Sequence, residues 1–337
     1  MREKIIRGIC YFSDTPDRGV LKGISRIAAR LEDHGYALQT KRICFQGQTI
    51  REVDSLFRNE RLFLSVGSLD RQSAGEQIHD FCRAENVAFH LDLSEGVVPK
   101  DTDLLFKIIE MKPEKTFSFA YTFRNARSSP FFPSAAYEKN GFSIGLQATD
   151  LAEGCSCLGE WLDSMKSVWE EICNLFQEQS DFLGIDSSVA PLFTGKGSLV
   201  NFIRRIGYSF PESTTRDVYL QISKYIRSNN PRPVGLCGLM FPCLEDFELA
   251  EEYDQGNFYV ERNVYLSLHS GVGIDTYPIG IDESPARVFE ILVLLKELSE
   301  KYGKPLSARF VSDGKARLGE RTDFRNPYLK DVVVRPL

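Results

Sequence analysis

The chain has 337 residues, with 41 lysines and arginines against 47 aspartates and glutamates, a formal net charge of −6. Its composition of 42% hydrophobic, 26% charged and 12% aromatic residues is that of a globular protein and excludes a disordered, collagen-like or coiled-coil chain. The acidic balance argues against nucleic acid as a partner, and a prior of ~150 residues per domain leaves room for one large domain or two ordinary ones.

No apolar run reaches the ~20 residues of a membrane span, so no membrane association is expected. The longest, Val234–Leu244, is broken by Gly235, Gly238 and Pro242, and Met1–Gly8 has no export-signal core. Eight cysteines, at positions 10, 44, 82, 155, 157, 173, 237 and 243, show no framework spacing. Reduced thiols in a cytoplasm are the expectation.

Ile5–Phe12 reads as a strand. Ser13-Asp14-Thr15-Pro16 then offers cap residues and a proline to open a helix. Val20, Leu21, Ile24, Ile27, Ala28 and Leu31 recur at helical spacing until His34-Gly35 stops them. Strands are predicted at Tyr36–Phe45, Arg61–Val66, Val87–Leu93 and Phe117–Phe123, with helices between them at Ile50–Phe57, Ala74–Ala84 and Asp101–Met111. Gly141–Gln147 is a further strand, and Asp150 to about Gln179 one long helix with an interruption near Gly154. Helices follow at Ser198–Ile206 and Thr214–Arg227, then a strand at Pro233–Phe241. The pattern ends with helices near Glu245–Glu252, Tyr259–His269 and Pro285–Lys301 and a strand at Leu306–Val311. Alternating strands and helices predict an α/β fold with a mostly parallel central sheet or barrel. No linker-like composition divides it, which favours one large domain spanning 1–337.

Familiar cofactor loops fail on spacing. A phosphate loop ending at Gly195-Lys196 needs a glycine where Ala190 stands, and Gly197 replaces the following Ser/Thr. Gly271-Val272-Gly273 is followed by Thr276, not by the third glycine of a dinucleotide turn. The four histidines are scattered, Cys155-Ser156-Cys157 points its thiols to different faces, and no G-x-S-x-G elbow occurs. No cofactor and no metal is therefore expected.

What remains is polar residues set among glycines in apolar segments. These are Asp186 and Ser188 in Gly184–Pro191, Cys237 between Gly235 and Gly238, Asp275 after Gly273, and Lys304 and Arg309 around the last strand. Glycines permit close backbone approach, and ligands of α/β folds gather at strand ends.

At these segments the chain resembles the family catalogued as domain of unknown function 711, or uncharacterised protein family 0210. The run from Asn125 through Pro130-Phe131-Phe132-Pro133 to Tyr137 is similar to the family's Asn…Pro-Phe-Phe-Pro-Ala-Ala-Tyr stretch. Gly145-Leu146-Gln147 to Asp150-Leu151 is similar to its strand-to-helix step, with Gln147 where an acid is common. Asp186–Pro191, Gly235–Asp246, and Gly273–Thr276 through Lys304–Arg309 to Thr322–Tyr328 complete the likeness. The resemblance implies an α/β barrel like that of the pyruvate formate-lyase and other glycyl radical enzymes. It brings no radical chemistry, because Gly314 and Gly319 lack the radical-glycine context.

The expected function is an enzyme acting on a small polar, anionic metabolite; the alternative is a metabolite-binding or regulatory protein without turnover. Asp186, Asp275 and Cys237 are the candidate catalytic residues, and Asn125, Ser188, Lys304 and Arg309 the candidate ligand contacts. Helix Pro285–Lys301 carries Val288, Phe289, Ile291, Leu292, Leu294, Leu295 and Leu298, an arc wider than one ~100° core-facing stripe. Its outer side either packs under a neighbouring element of the same barrel or meets another subunit; two-fold dimers are the commonest closed assembly and the family resemblance leans the same way, so a homodimer is expected.

Overall fold

A computed structural model describes residues 4–337. The first three residues of the Met1–Gly8 stretch lie outside the described residues. In the first half, strands and helices alternate closely: β1 (Lys4–Ser13), α1 (Gly19–Asp33), β2 (Tyr36–Leu38), β3 (Lys41–Phe45), α2 (Ile50–Phe57), β4 (Phe63–Leu69), α3 (Arg71–Arg83), β5 (Val87–Asp92), α4 (Asp101–Met111) and β6 (Phe119–Phe123). Local chemistry sets these boundaries. Thr49 and Glu52 form a reciprocal capping box at the start of α2, and the Asp70 carboxylate caps α3 through the Ser73 amide. Helix α1 buries Ile24, Ile27, Ala28 and Leu31, the same periodic residues that announce it in the sequence.

The second half is β7 (Gly141–Leu146), α5 (Leu158–Phe176), β8 (Phe182–Asp186), α6 (Leu199–Arg205), the single turn α7 (Phe210–Ser213), α8 (Val218–Ser228), α9 (Phe247–Asp254), α10 (Val260–His269), β9 (Gly273–Pro278), α11 (Pro285–Tyr302) and β10 (Leu306–Val311). Proline opens α11, and Gly303 closes it in the left-handed region at φ 59°.

The strands form one ten-stranded sheet in the order β8-β7-β1-β3-β4-β5-β6-β10-β9, with β2 paired to β1. The α/β class expected from the sequence is the class observed. Pairing is parallel except at two places, β1 with β7 and β6 with β10. At those seams the strand direction reverses. The first-half strands therefore end at one end of the sheet and the second-half strands at the other. No continuous ladder joins the edge strands β8 and β9. Instead, residues 233–246 run between them through isolated parallel bridges, Ile185 to Pro233, Val189 to Leu239, Leu239 to Gly271 and Pro242 to Asp275.

Several predicted elements need correction. Tyr36–Phe45 is two strands, because Gln39 and Thr40 break the extended run. The helical stretch Asp150–Gln179 is interrupted around Gly154 as expected, but its first piece is a 3₁₀ turn, Ala148–Ala152, and α5 ends at Phe176. Pro233–Phe241 is not a strand. Its backbone bends at Gly235 and Cys237, both with positive φ, and pairs only at single bridges. Conversely, Phe182–Asp186 and Gly273–Pro278 are strands that the sequence reading passes over.

Strands β6 and β7 are consecutive in the chain but five strand spacings apart in the sheet, roughly 24 Å at ~4.8 Å each. The connecting loop, residues 124–140, crosses the inner face to make that journey. Ser128–Phe131 and Pro133–Ala135 are buried. A buried loop must have its polar backbone satisfied. Here strands β3 and β5 supply donors. Arg42 Nη1 donates to the Pro130 carbonyl at 2.7 Å, His90 Nδ1 to Pro133 at 3.2 Å, and Cys44 Sγ to Ala135 at 3.7 Å. Glycine makes room on β7, where a Cβ at Gly145 would lie 3.0 Å from the Phe131 ring and from Pro130.

Candidate functional site

Two of the predicted site residues come together with three that the sequence reading missed. Arg309 on β10 donates through Nε to Asp275 Oδ1 at 2.7 Å and through Nη2 to Glu245 Oε2 at 2.6 Å. Arg7 on β1 reaches the other oxygen of Glu245 at 3.4 Å. Arg42 on β3 lies in the same charged group, close enough to Arg7 and Arg309 for mutual repulsion. All five side chains face a cavity of about 450 Å³. Its other wall is apolar: Phe131, Ala190, Met240 and Val272 form a small buried cluster with Leu236 packed against them. Loop residue Phe132 lies over the Arg42 guanidinium, 5.4 Å from carbon to ring centroid.

The cavity lies at the end of the sheet where the first-half strands begin. Residues after β8 (Ala190, Pro191), in β9 (Asp275) and in β10 (Arg309) line it together with residues at the starts of β1, β3 and β4. Only β8 meets it with its carboxyl end, the usual ligand position in an open α/β sheet; β9 and β10 line it along their length, from Val272 and Ser307 to Asp275 and Arg309.

The five charges are not balanced. Arg309 sits between two carboxylates, and although burial pulls its pKa down, Asp275 and Glu245 more than offset this and secure the charge. Burial raises Glu245 above the usual carboxylate range; Arg309 and Arg7 draw it back, and Asp275 pushes it up again. Burial lowers Arg7, with Glu245 opposing, and Arg7 Nε is buried without a partner. Arg42 is different. It is 8% exposed, it bonds only the Thr40 hydroxyl and the Pro130 carbonyl, and no carboxylate among the described residues pairs with it. Burial, and next the Arg7 charge, push its pKa down to about 9. Gly8 explains how it fits, since a Cβ there would lie 2.8 Å from Arg42 Nε.

The remaining predicted residues lie outside the cavity lining. Asp186 is fully buried, and its two oxygens accept from the Ser129 and Ser188 hydroxyls and from the amides of Ser188, Leu236 and Cys237. This carboxylate pins the crossing loop and the 233–246 segment to the end of β8. Ser188 belongs to the same knot and accepts from the Gly238 amide at 3.0 Å. The Cys237 thiol is buried beside the Val234 carbonyl, and burial, then Asp186, raise its pKa. Lys304 donates to the Gly271 carbonyl at 2.7 Å, and burial lowers its pKa to about 8. Asn125 holds the Ser134 carbonyl and His90 Nε2, fixing the start of the crossing loop.

Arg7, Arg42 and Glu245 had a signal in the sequence: a charge inside or beside an apolar strand segment, where a fully buried ion is rare unless paired. Among the described residues no group of three His, Cys, Asp or Glu side chains is arranged to hold a metal, and no helix is long and apolar enough to cross a membrane.

No curated protein matches the chain. Among solved structures, an anaerobic ribonucleotide reductase matches at 7% sequence identity with a TM-score of 0.31, covering 91% of this chain and 70% of that one. The family model described as Uncharacterised ACR (DUF711) matches residues 110–325, which include the crossing loop, Asp186, Glu245, Asp275 and Arg309. With well over half its length matched, the chain belongs to the DUF711 family.

Proposed function

We propose that the protein is an enzyme acting on a small polar, anionic metabolite held in the arginine-lined cavity. The observation that carries this reading is Arg42, a buried guanidinium on the cavity wall with no carboxylate partner among the described residues. Burying an unpaired charge is costly, and a bound anion supplies the missing partner. Arg offers a bidentate fork to a carboxylate or phosphate. Asp275, on one arm of Arg309, is the proposed proton acceptor, and Glu245, ionised between Arg7 and Arg309, is proposed to hold both guanidinium groups in place. Asp186, Ser188, Cys237, Lys304 and Asn125 are proposed to act by positioning the loops around them. The test is consumption of anionic metabolites from a panel by purified protein. Glu245→Gln and Asp275→Asn should each lower turnover at least 100-fold while circular dichroism is unchanged. Full turnover in both variants overturns these roles.

A binding protein without turnover is the second reading. It is favoured by Glu245, both of whose oxygens are engaged by arginines. A metabolite that raises the melting temperature but is never consumed supports it, since a ligand of the native state stabilises by mass action.

The chain is further proposed to be one domain, because a single sheet takes strands from Lys4 to Val311. Its eight cysteines are unpaired, as suits a cytoplasmic protein. The proposed homodimer rests on α11, where Leu294 is 44% exposed beside half-buried Phe289 and Val293. Light scattering showing only a species near 38 kDa refutes it.

A further inference from the structure

We infer that the cavity takes a monocarboxylate with a bulky apolar body, aromatic or branched, rather than a small dianion. This rests on the anion-pocket reading above and narrows it. Three observations point the same way.

The first is charge. Arg7, Arg42 and Arg309 face Glu245 and Asp275, three cations against two anions, so this group carries one positive charge in excess. The fourth cation of the lining, Lys115, turns its ammonium to the Glu85 carbonyl and the Phe81 ring, and its charge interacts with Asp54 and Glu114 rather than with these five. Arg309 and Arg7 are committed to the two carboxylates by ion pairs, and the surplus sits on Arg42. A single negative charge brings the group to neutrality. A dianion would leave an uncompensated negative charge in a buried site, which is as costly as the cation it replaces.

The second is the wall. Phe131, Ala190, Met240, Val272 and Leu236 make an apolar cluster facing the cavity, with Phe132 beside Arg42. Such a surface stays unfavourably wet until apolar ligand atoms cover it. A ring fits here because aromatic faces and Met sulfur both pack well against one.

The third is size. The cavity of about 450 Å³ corresponds to ~15 water volumes at ~30 Å³ each. Acetate or phosphate leaves most of that space wet. The carboxylate is accordingly placed on the free arm of Arg42, and the apolar body against Phe131 and Met240. The remaining carboxylates near the cavity, Glu85 and Glu114, are exposed and belong to its rim.

Calorimetric titration of the full chain tests this with five probes: 3-phenylpropanoate, its neutral amide 3-phenylpropanamide, acetate, succinate and inorganic phosphate. 3-Phenylpropanoate should bind at least tenfold more tightly than each of the other four, and Arg42→Met should weaken it at least tenfold. Should that variant fail to fold, the amide comparison reads the same charge in the unaltered protein. Amide and carboxylate binding equally would overturn both this inference and the anion-pocket reading. Tighter binding of succinate or phosphate than of 3-phenylpropanoate would overturn the monocarboxylate class and leave the anion pocket standing. Binding by none of the anions overturns both.

Discussion

The Asp186 carboxylate is so crowded with donors that the neighbouring position has to be glycine. A Cβ on Gly235 would lie 2.2 Å from Asp186 Oδ2, and Gly235 also has φ 74°, where other residues are strained. Gly235→Ala should therefore destabilise the fold by about 3 kcal/mol or more, combining backbone strain with loss of the hydrogen-bond knot. A denaturation midpoint within error of the parent would show that the knot is dispensable. Asp186→Asn keeps the shape but turns one acceptor into a donor facing donors, at a cost of about 1–3 kcal/mol. His90 is a second buried group with a defined consequence. Burial pushes its pKa down to about 4 from 6.5, and its neutral ring donates at Nδ1 to Pro133 and accepts at Nε2 from Asn125. Below pH 6.5 the unfolded chain takes up a proton that the folded chain refuses. Stability is thus fully present above 6.5 and lost as pH falls toward 4, by about 3 kcal/mol in total. The His90 ring signals in a proton NMR titration should stay fixed between pH 7.5 and 5.5; a midpoint near 6.5 would contradict the burial argument.

At the level of elements, the crossing loop 124–140 ties the two halves of the sheet together, and its space is set by a single missing side chain. Gly145→Val would drive methyl groups into Phe131 and Pro130, which already lie at 3.0 Å from the ideal Cβ. Overpacking of this kind costs about 1–3 kcal/mol. It should also loosen the loop, so that trypsin cuts faster at Arg124 and Arg127, both exposed on its first limb; unchanged cleavage would mean that the loop is held elsewhere. Much of this architecture was legible beforehand. The apolar period of α1, and the alternation of strands and helices through β6, mark those elements in the sequence. Strands β8 and β9 escaped because each is short and carries a glycine and an aspartate, residues that read as turns. Pro233–Phe241 misled in the opposite sense: its apolar content is real, but it covers a cavity wall rather than a ladder. The site was legible only in part, since Asp275 and Arg309 stand next to glycines or in the last strand. Arg7, Arg42 and Glu245 meet only because strands distant in sequence are brought together, and no local pattern records that.

For the molecule as a whole, the reversal of strand direction at two seams places the cavity where the first-half strands begin and β8 ends, while the carboxyl end of β1 meets a different groove. That groove, at Ser13, Asp14 and Asp17 with Glu178 and Asp181, is open and acidic. The chain thus carries a buried positive excess at one end of its sheet and an exposed negative one at the other, within a total of −6. An incoming anion feels two opposed influences. At long range the net charge repels it, an effect screened within ~8 Å at physiological ionic strength. Inside the cavity, Arg42 attracts it in surroundings that salt reaches poorly. Raising sodium chloride from 50 to 300 mM should therefore leave the association rate of 3-phenylpropanoate unchanged or slightly increased, and shift its affinity by less than about threefold. A surface site built of exposed lysines behaves otherwise, losing affinity steadily as salt rises. A tenfold loss across that range, measured by stopped-flow or calorimetry, would place the anion on the outside of the protein and not against Arg42.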